Sequence, residues 1–225
     1  MIPLAIWEQP KRPLGRDVTL PSPRRSADEL APEGLTGTNL DDVSSRREQI
    51  LDIAAELFAA RGFHGVSVAE LGAACGISGP ALYKHFESKD AMLAEMLVSI
   101  SETLLSEGRS RVASAEGPRE ALEALVEWHI EFAIGHRALI VVQDRDWSSL
   151  PDEARERVRA LQRDYVDVWA TQIRRHDGTI SPEASLTRSH VLFGLLNSTP
   201  HSGRLPDPEM HDVLRGMAHG ALGLA

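Results

Sequence analysis

The chain has 225 residues with 42% hydrophobic and 25% charged side chains, which is typical of a globular protein of one or two domains. Its single cysteine, Cys75, excludes a disulfide framework within the chain, and no apolar run approaches the roughly 20 residues that span a bilayer. These two features predict a cytoplasmic globular protein. The formal net charge of -9 argues mildly against a nucleic-acid binder, although the positions of the cations matter more than the average.

The first 44 residues differ in composition from the rest of the chain. They contain six of the 13 prolines and no persistent apolar period, so residues 1–44 are predicted to form a disordered tail. A basic arm that reaches DNA is the competing hypothesis. Seven acidic residues in the same stretch outnumber its five cations, which are Lys11, Arg12, Arg16, Arg24 and Arg25.

A helical pattern begins at Ser45. Ser45 and Glu48 have the spacing of a capping box, in which each side chain binds a backbone N–H at the start of the helix. Apolar residues then recur at helical spacing, and Gly62 is a typical helix stop. These signals predict a first helix over 45–61.

Three more helices follow at short intervals. A second capping box predicts a short helix over about 68–75. Ser78 is predicted to cap a third helix, which has a proline in its first turn, where a missing N–H costs little. Ser88 is predicted to cap a fourth helix that extends to about residue 112.

The rest of the chain also has a helical pattern, without repeats or convincing strands. Proline and glycine mark the breaks between the helices. The fold class is therefore predicted to be all-α with about nine helices. The last five are expected over about 118–135, 137–148 and 152–175, from Ser181 to Thr199, and from Asp207 onward, with a loop over 201–207.

The residues around Gly76-Ile77-Ser78 have the spacing of a helix-turn-helix. Gly72 is the small residue that lets two helices approach closely, and Gly76 can adopt the positive φ that the turn requires. Ile77 is predicted to fill the angle between the helices, and Leu82 to pack inward. The outer surface of the third helix then carries Gly79, Pro80, Ala81, Tyr83, Lys84 and His85.

The stretch from Arg46 to Leu97 resembles the DNA-binding domain of the TetR/AcrR family. It has, in order, Phe-Ala-x-x-Gly at the end of the first helix, a Ser that opens the second, Gly-Ile-Ser in the turn, Leu-Tyr-x-His-Phe in the third helix and Ser-Lys-Asp at the fourth. The resemblance covers a little over a fifth of the chain. It implies a DNA-binding domain over 45–95 and a ligand-binding and dimerisation domain over 96–225.

The resemblance also implies roles for individual residues. Ser67, Tyr83, His85 and Lys89 are expected to contact phosphates, which positions the protein without reading sequence. Lys84 is expected to read bases, because it can donate to guanine O6 or N7. Further candidates are Ser78, Gly79, Pro80 and Ala81 in the first turn of the third helix, and Arg46 and Arg47 for the DNA backbone or minor groove.

Position 79 departs from the family, in which a long polar or basic residue is common. Glycine there leaves only van der Waals and backbone N–H contacts in the first turn, so specificity is expected to depend on Lys84 and on DNA shape. Structural roles for the same residues stay open at this point. Tyr83 could be a core aromatic, His85 and Lys89 solvated residues, and Cys75 a packed side chain or a redox sensor.

The resemblance implies a homodimer that forms through the last two helices. The eighth helix is apolar on more than one face, which supports this, although packing within one chain would give the same pattern. A ligand pocket is expected among helices four to eight, with Asp144 either orienting a ligand or solvated at a helix end. The candidate lining residues are Trp128, His129, Phe132, Val141, Trp147, Tyr165, Trp169 and Phe193.

These expectations combine into a ligand-responsive repressor that is not an enzyme, needs no cofactor or metal, and binds a palindromic operator as a dimer. A small hydrophobic or amphipathic effector, for instance an acyl-CoA or lipid catabolite, would release the DNA through movement of the fourth helix. A pocket for cationic drugs is equally compatible with the sequence. Three competing hypotheses are a helical small-molecule-binding protein or enzyme that does not regulate transcription, an architectural DNA binder, and a metal sensor built on some of nine scattered histidines.

Overall fold

The computed structural model describes residues 40–224, with side chains from residue 46 onward. Helices α2 to α10 lie in one compact unit, Arg47–Ala225, and residues 40–224 contain no strand, so the predicted all-α class is confirmed. The helices are α1 (Leu40–Arg61), α2 (Val68–Ala74), α3 (Gly79–Leu82), α4 (Lys89–Ser114), α5 (Pro118–Gly135), α6 (Arg137–Asp146), α7 (Asp152–His176), α8 (Pro182–Leu196), α9 (Thr199–Ser202) and α10 (Asp207–Leu222), with a 3-10 turn at Trp147–Ser149.

Most predicted helix starts are confirmed at the level of single hydrogen bonds. The Ser67 side chain accepts from the N–H of Glu70, whose carboxylate accepts from the Ser67 N–H, so the capping box is complete. Ser78, Ser88 and Ser181 each accept a hydrogen bond from a backbone N–H in the first turn of the helix that follows. Local sequence therefore decides where these helices begin.

The boundaries predicted at Ser45 and at Pro200 are wrong. Helix α1 begins at Leu40, so Ser45 lies within the helix and does not cap it. Asp41 and Asp42 come next to that start in the sequence, and acidic side chains favour a helix N-terminus. The second error concerns α9, since Pro200 does not end a helix. It lies in the first turn of α9, where proline is well tolerated. The predicted tail falls outside the described residues up to position 39.

The helix-turn-helix shares its hydrophobic core with the rest of the unit. Its buried side chains Leu71 and Leu82 belong to a cluster that also contains Phe58 of α1, Leu97 of α4, Ala138 and Val142 of α6 and Val158 of α7. Removing such apolar surface from water is the main stabilising contribution to folding. The α1–α4 segment is therefore fixed against α6 and α7 by a continuous apolar cluster.

The remaining helices form a bundle in which α4 packs on α5 and α7, and α7 packs on α8. Gly108 allows α4 and α7 to approach each other closely. A β-carbon at this residue would lie 2.6 Å from Cε2 of Tyr165, far inside van der Waals contact. Glycine at this position brings α4 against the face of α7 that carries Tyr165.

Candidate nucleic-acid interface and ligand site

The turn between α2 and α3 has the predicted geometry. Gly76 adopts a φ of +68°, and a β-carbon on Gly72 would lie 2.9 Å from both the Gly79 nitrogen and the Ile77 oxygen. Ile77 packs on the core cluster, and Leu82 is buried within it. Cys75 is also a buried member of that cluster, which agrees with its interpretation as a packed side chain. The two glycines therefore allow the two short helices to pack at close range.

The outer surface of α3 and the turn that follows it present polar side chains to solvent. Tyr83, Lys84 and His85 are predicted to lie on the third helix, but α3 ends at Leu82 and these three residues lie in the turn after it. Tyr83 is 54% exposed, so it is not a core aromatic. Lys84 is exposed, and His85 is half-buried. The first-turn residues Ser78, Gly79, Pro80 and Ala81 are exposed or half-buried, and the Ser78 hydroxyl accepts from the Ala81 N–H. The side chains of Tyr83 and Lys84 are therefore accessible to DNA.

Arg47 is engaged with other parts of the domain. Its guanidinium donates to both carboxylate oxygens of Glu95, with 2.5 Å between Nε and Oε1, and to the His85 carbonyl. It also lies 4.2 Å from the centre of the Phe86 ring. These contacts fasten α1 to α4 and to the segment after α3, so Arg47 stabilises the arrangement of the interface from inside the domain. Its predicted DNA contact, like that of Arg46, stays a prediction.

Lys89 is also engaged. Its ammonium donates to the carbonyls of Phe63 and Val66 at 2.8 and 2.9 Å, and it lies 4.3 Å from the centre of the Phe63 ring. Two of its three N–H donors are therefore used to hold the loop between α1 and α2. The predicted phosphate contact would have to use the third.

The start of α2 contains a carboxylate beside the predicted phosphate ligand. Glu70 accepts from the Ser67 hydroxyl at 2.7 Å and from its N–H at 2.8 Å, and pairs with Arg61 at 2.6 Å. Hydrogen bonds from Ser67, then the Arg61 contact, lower the pKa of Glu70 to about 2. A phosphate that approaches Ser67 would be repelled by the ionised Glu70 carboxylate. Arg61 is a cation beside this site that the sequence did not indicate.

Five of the predicted ligand-binding residues form one aromatic cluster, defined by His129, Phe132, Tyr165, Trp169 and Phe193. The His129 ring lies 5.0 Å from Phe193 and 5.6 Å from Phe132, measured between ring centres. Trp169 is fully buried, and Tyr165 and Phe193 nearly so. These side chains come from α5, α7 and α8, so the cluster joins three helices.

His129 carries the polar contacts of this cluster. Its Nε2 lies 3.0 Å from Oδ1 of Asn197, and its Nδ1 lies 3.4 Å from the Tyr165 hydroxyl. Burial lowers the pKa of His129 to about 4, so the ring is neutral near pH 7. Because Asn197 Oδ1 only accepts, we assign the proton to Nε2, and Nδ1 then accepts from the tyrosine. The cluster is consequently uncharged.

The remaining candidate lining residues lie elsewhere. Trp128 packs under Arg111, and Trp147 faces Arg159. Asp144 is half-buried, and burial raises its pKa. Val141 is half-buried on α6. None of these four makes a ring contact or hydrogen bond with the cluster among the contacts described for residues 46–224. Asn197, by contrast, contacts His129, although its sequence context signalled only a helix end.

Two further observations concern the described residues alone. Between residues 40 and 224, no group of three or more His, Cys, Asp or Glu side chains is placed to hold a metal ion. No helix in the same part of the chain is both long and apolar enough to cross a membrane.

Two family models match this chain. Residues 50–96 match bacterial regulatory proteins of the tetR family. Residues 115–218 match the tetracyclin repressor-like C-terminal domain. The two matches cover the helix-turn-helix and most of the bundle that contains the aromatic cluster.

Curated relatives agree with these matches. The transcriptional repressor KstR2 of Rhodococcus jostii is 35% identical over 127 residues, which are 56% of this chain and 62% of the relative. KstR2 of Mycolicibacterium smegmatis is 31% identical over 62% of this chain and 70% of its own length. The regulator UidR of Escherichia coli is 29% identical over 75% and 84%. The chain thus spans a little under two thirds of the Rhodococcus repressor.

Solved structures have the same fold. The regulator PfmR of Thermus thermophilus is 26% identical, with a TM-score of 0.67 over 77% of this chain and 97% of that one. AibR in complex with isovaleryl coenzyme A and operator DNA is 26% identical, with a TM-score of 0.64 over 76% and 97%. KstR2 of Mycobacterium tuberculosis, 22% identical with a TM-score of 0.68 over 79% and 93%, shares the fold.

Proposed function

We propose a function for this chain on the basis of its family. The chain belongs to the TetR family of bacterial regulatory proteins. We propose that it is a ligand-responsive repressor, which binds a palindromic operator as a dimer. The observation that carries the proposal is the exposed turn directly after α3, which presents Tyr83 and Lys84 at a helix-turn-helix of the required geometry. Residues 45–95 are assigned to DNA binding, and residues 96–225 to effector binding and dimerisation.

The proposed DNA contacts follow the exposure of the side chains. Lys84 donates to a base edge or a phosphate, and Tyr83 and His85 contact phosphates. Arg47 and Lys89 act mainly by holding α1, α3 and α4 together, since their donors are largely used within the protein.

The proposed dimer forms through α8 and α10. These helices expose Val191, Val213 and Met217, which are 63%, 45% and 56% exposed. Large apolar side chains this exposed on two neighbouring helices favour a surface that a second copy covers. A dimer of this kind would place two α3 helices in successive major grooves, about 34–36 Å apart.

The proposed effector site is the aromatic cluster around His129. Its rings and neutral polar groups suit an uncharged, apolar part of a ligand, with His129 or Tyr165 hydrogen bonding to an oxygen atom. A cationic drug is less well supported, since the five residues of the cluster include no carboxylate. Two structural neighbours support the same class of ligand, because AibR binds isovaleryl coenzyme A and KstR2 is described as a ketosteroid regulator. We therefore propose an acyl-CoA or a lipid catabolite as the effector class.

The test of the proposed function is a gel-shift titration with the full chain and the intergenic DNA upstream of its own gene. It is run at two salt concentrations against a scrambled competitor. Specific retardation that is lost in Tyr83→Ala and Lys84→Ala, and kept in Arg163→Ala, supports the proposal. Arg163 is an exposed arginine on α7, so this variant loses one positive charge, as Lys84→Ala does, but outside the helix-turn-helix. Retardation that the scrambled DNA competes away equally would contradict the proposal.

A further inference from the structure

The end of α6 makes a charged contact with the end of α1. The Arg145 guanidinium donates to the Ala59 carbonyl at 3.0 Å and to the Phe58 carbonyl, both in the last turn of α1. The last carbonyls of a helix carry partial negative charge, so a cation is favoured there even though the Phe58 carbonyl also accepts from the Gly62 N–H at 2.8 Å. Arg145 therefore acts as a C-terminal cap on α1 that is supplied by another helix.

The surroundings hold this guanidinium in place. Asp146 is 6% exposed, and its carboxylate lies 3.2 Å from Nη2 of Arg145. Gly62 ends α1 with a φ of +81°, and a β-carbon there would lie 3.9 Å from Cζ of Arg145. A second contact lies next to it, where the Ser149 hydroxyl and Nε2 of His64 are 3.0 Å apart. The segment after α6 thus contacts both the end of α1 and the loop that follows.

The loop held in this way leads directly into the helix-turn-helix. Its residues connect α1 to Ser67, the cap of α2, and α2 packs on α3. Val142 of α6 is fully buried in the same apolar cluster as Phe58, so the polar contact is added to a packed one. The end of α6 is thus connected to α3 by direct contacts and by the short segment of chain between α1 and α2.

Helix α6 is also connected to the aromatic cluster. Asn197, the hydrogen-bond partner of His129, lies two residues before Thr199. The Thr199 hydroxyl donates to the Ala133 carbonyl at 2.6 Å and fixes the start of α9 on α5. Helix α9 in turn packs on α6. The cluster and Arg145 are therefore linked through helices that are in direct contact.

We propose that Arg145 is a positioning residue for DNA recognition, which holds the end of α1 so that α3 and the turn after it present Tyr83 and Lys84 in the binding orientation. This inference rests on the proposed function, because its main readout is operator affinity. The guanidinium fork is essential to it, since one side chain binds two carbonyls and a carboxylate together.

The experiment compares Arg145→Ala, Arg145→Lys and the charge-matched control Arg163→Ala, all as full chains. Operator affinity is measured at a temperature at which thermal unfolding shows every variant to be folded. We expect Arg145→Ala to bind on the order of ten-fold more weakly, Arg145→Lys to be intermediate, and Arg163→Ala to match the wild type. Hydrogen exchange of the amides over residues 58–70 is expected to be about ten-fold faster in Arg145→Ala, with α8 unchanged.

The remaining outcomes each overturn the inference. Faster exchange with unchanged operator affinity would make Arg145 a purely structural residue. Full recovery in Arg145→Lys would mean that charge alone matters and that the fork does not. Absence of operator binding by the wild type would overturn the proposed function together with this inference. That result is distinguishable from failure of Arg145 alone, in which wild type and Arg145→Ala bind equally well.

Discussion

Gly108 of α4 lies directly against the ring of Tyr165 on α7, with only 2.6 Å between the position of a β-carbon on residue 108 and Cε2 of the tyrosine. The same helix starts at Lys89, whose ammonium holds the loop before the helix-turn-helix. One continuous helix therefore contacts both the aromatic cluster and the DNA-binding segment. The predicted movement of α4 on effector binding would have to act through this close contact.

Gly108→Ala should destabilise the protein although alanine is the better helix former. Alanine gains about 1 kcal/mol in helix propensity, whereas the clash forces Tyr165 out of its position, and overpacking of a core costs about 1–3 kcal/mol. Urea unfolding measures the balance. Gly135→Ala at the end of α5 is the control, because a β-carbon there meets nothing within 4 Å. A Gly108→Ala variant as stable as this control would contradict the contact.

The protein should lose stability as the pH falls from about 6.5 to about 4. The pKa of His129 is near 4 in the folded protein and 6.5 in the unfolded chain, so the unfolded state binds more protons in this window. The contribution of His129 is complete above pH 6.5, and its loss is worth on the order of 3 kcal/mol. His129→Gln, which can still donate to Asn197, should show a shallower pH dependence of unfolding. An identical slope in the variant would argue against a buried neutral histidine.

Two lysines near the interface should respond differently to removal. Lys84→Ala should reduce the salt dependence of operator binding by about one unit of slope and leave stability unchanged, because the side chain is exposed. Lys89→Ala should lower the free energy of unfolding by about 1–3 kcal/mol, because two carbonyls lose a charged donor. Affinity at several salt concentrations, together with urea unfolding, separates the two. If Lys89→Ala keeps the stability of the wild type and reduces the salt dependence of operator binding, Lys89 contacts a DNA phosphate and the structural role is contradicted.

Met217→Glu should convert the proposed dimer to a monomer. The side chain is 56% exposed on α10, and a carboxylate buried at an interface without a partner is costly. Sedimentation velocity measures the change. Leu205→Glu is the matched control, since Leu205 is 40% exposed but lies in the loop between α9 and α10. If both variants sediment like the wild type, the dimer surface lies elsewhere.

The helix-turn-helix could be predicted from sequence because its signals are local. A serine three residues before a glutamate, as in Ser67 and Glu70, satisfies its own helix start wherever that helix packs. The two glycines of the turn indicate a positive φ and a close backbone contact, both of which involve only residues a few positions away. These features depend little on the rest of the fold, so the order of the elements and the orientation of α3 followed from them.

The roles of the charged residues could not be predicted in the same way. Arg47 meets Glu95 and Lys89 meets Phe63 only after the chain has folded, across 48 and 26 residues. Family resemblance placed both cations at DNA, whereas their donors are largely used inside the domain. Helical periodicity likewise does not predict which aromatic residues contact each other in the folded protein. Trp128 and His129 are neighbours in sequence but point about 100° apart on α5, so one joins the cluster and the other contacts Arg111.

DNase I footprinting on the upstream DNA that the full chain retards is the most direct test of a dimeric, sequence-specific repressor. Such a repressor should give one protected region with two symmetric half-sites, centred about one helical turn apart. Protection should be lost with Lys84→Ala and kept with Arg163→Ala. Uniform protection without half-sites, or an unchanged footprint with Lys84→Ala, would contradict the claim that two α3 helices read an operator.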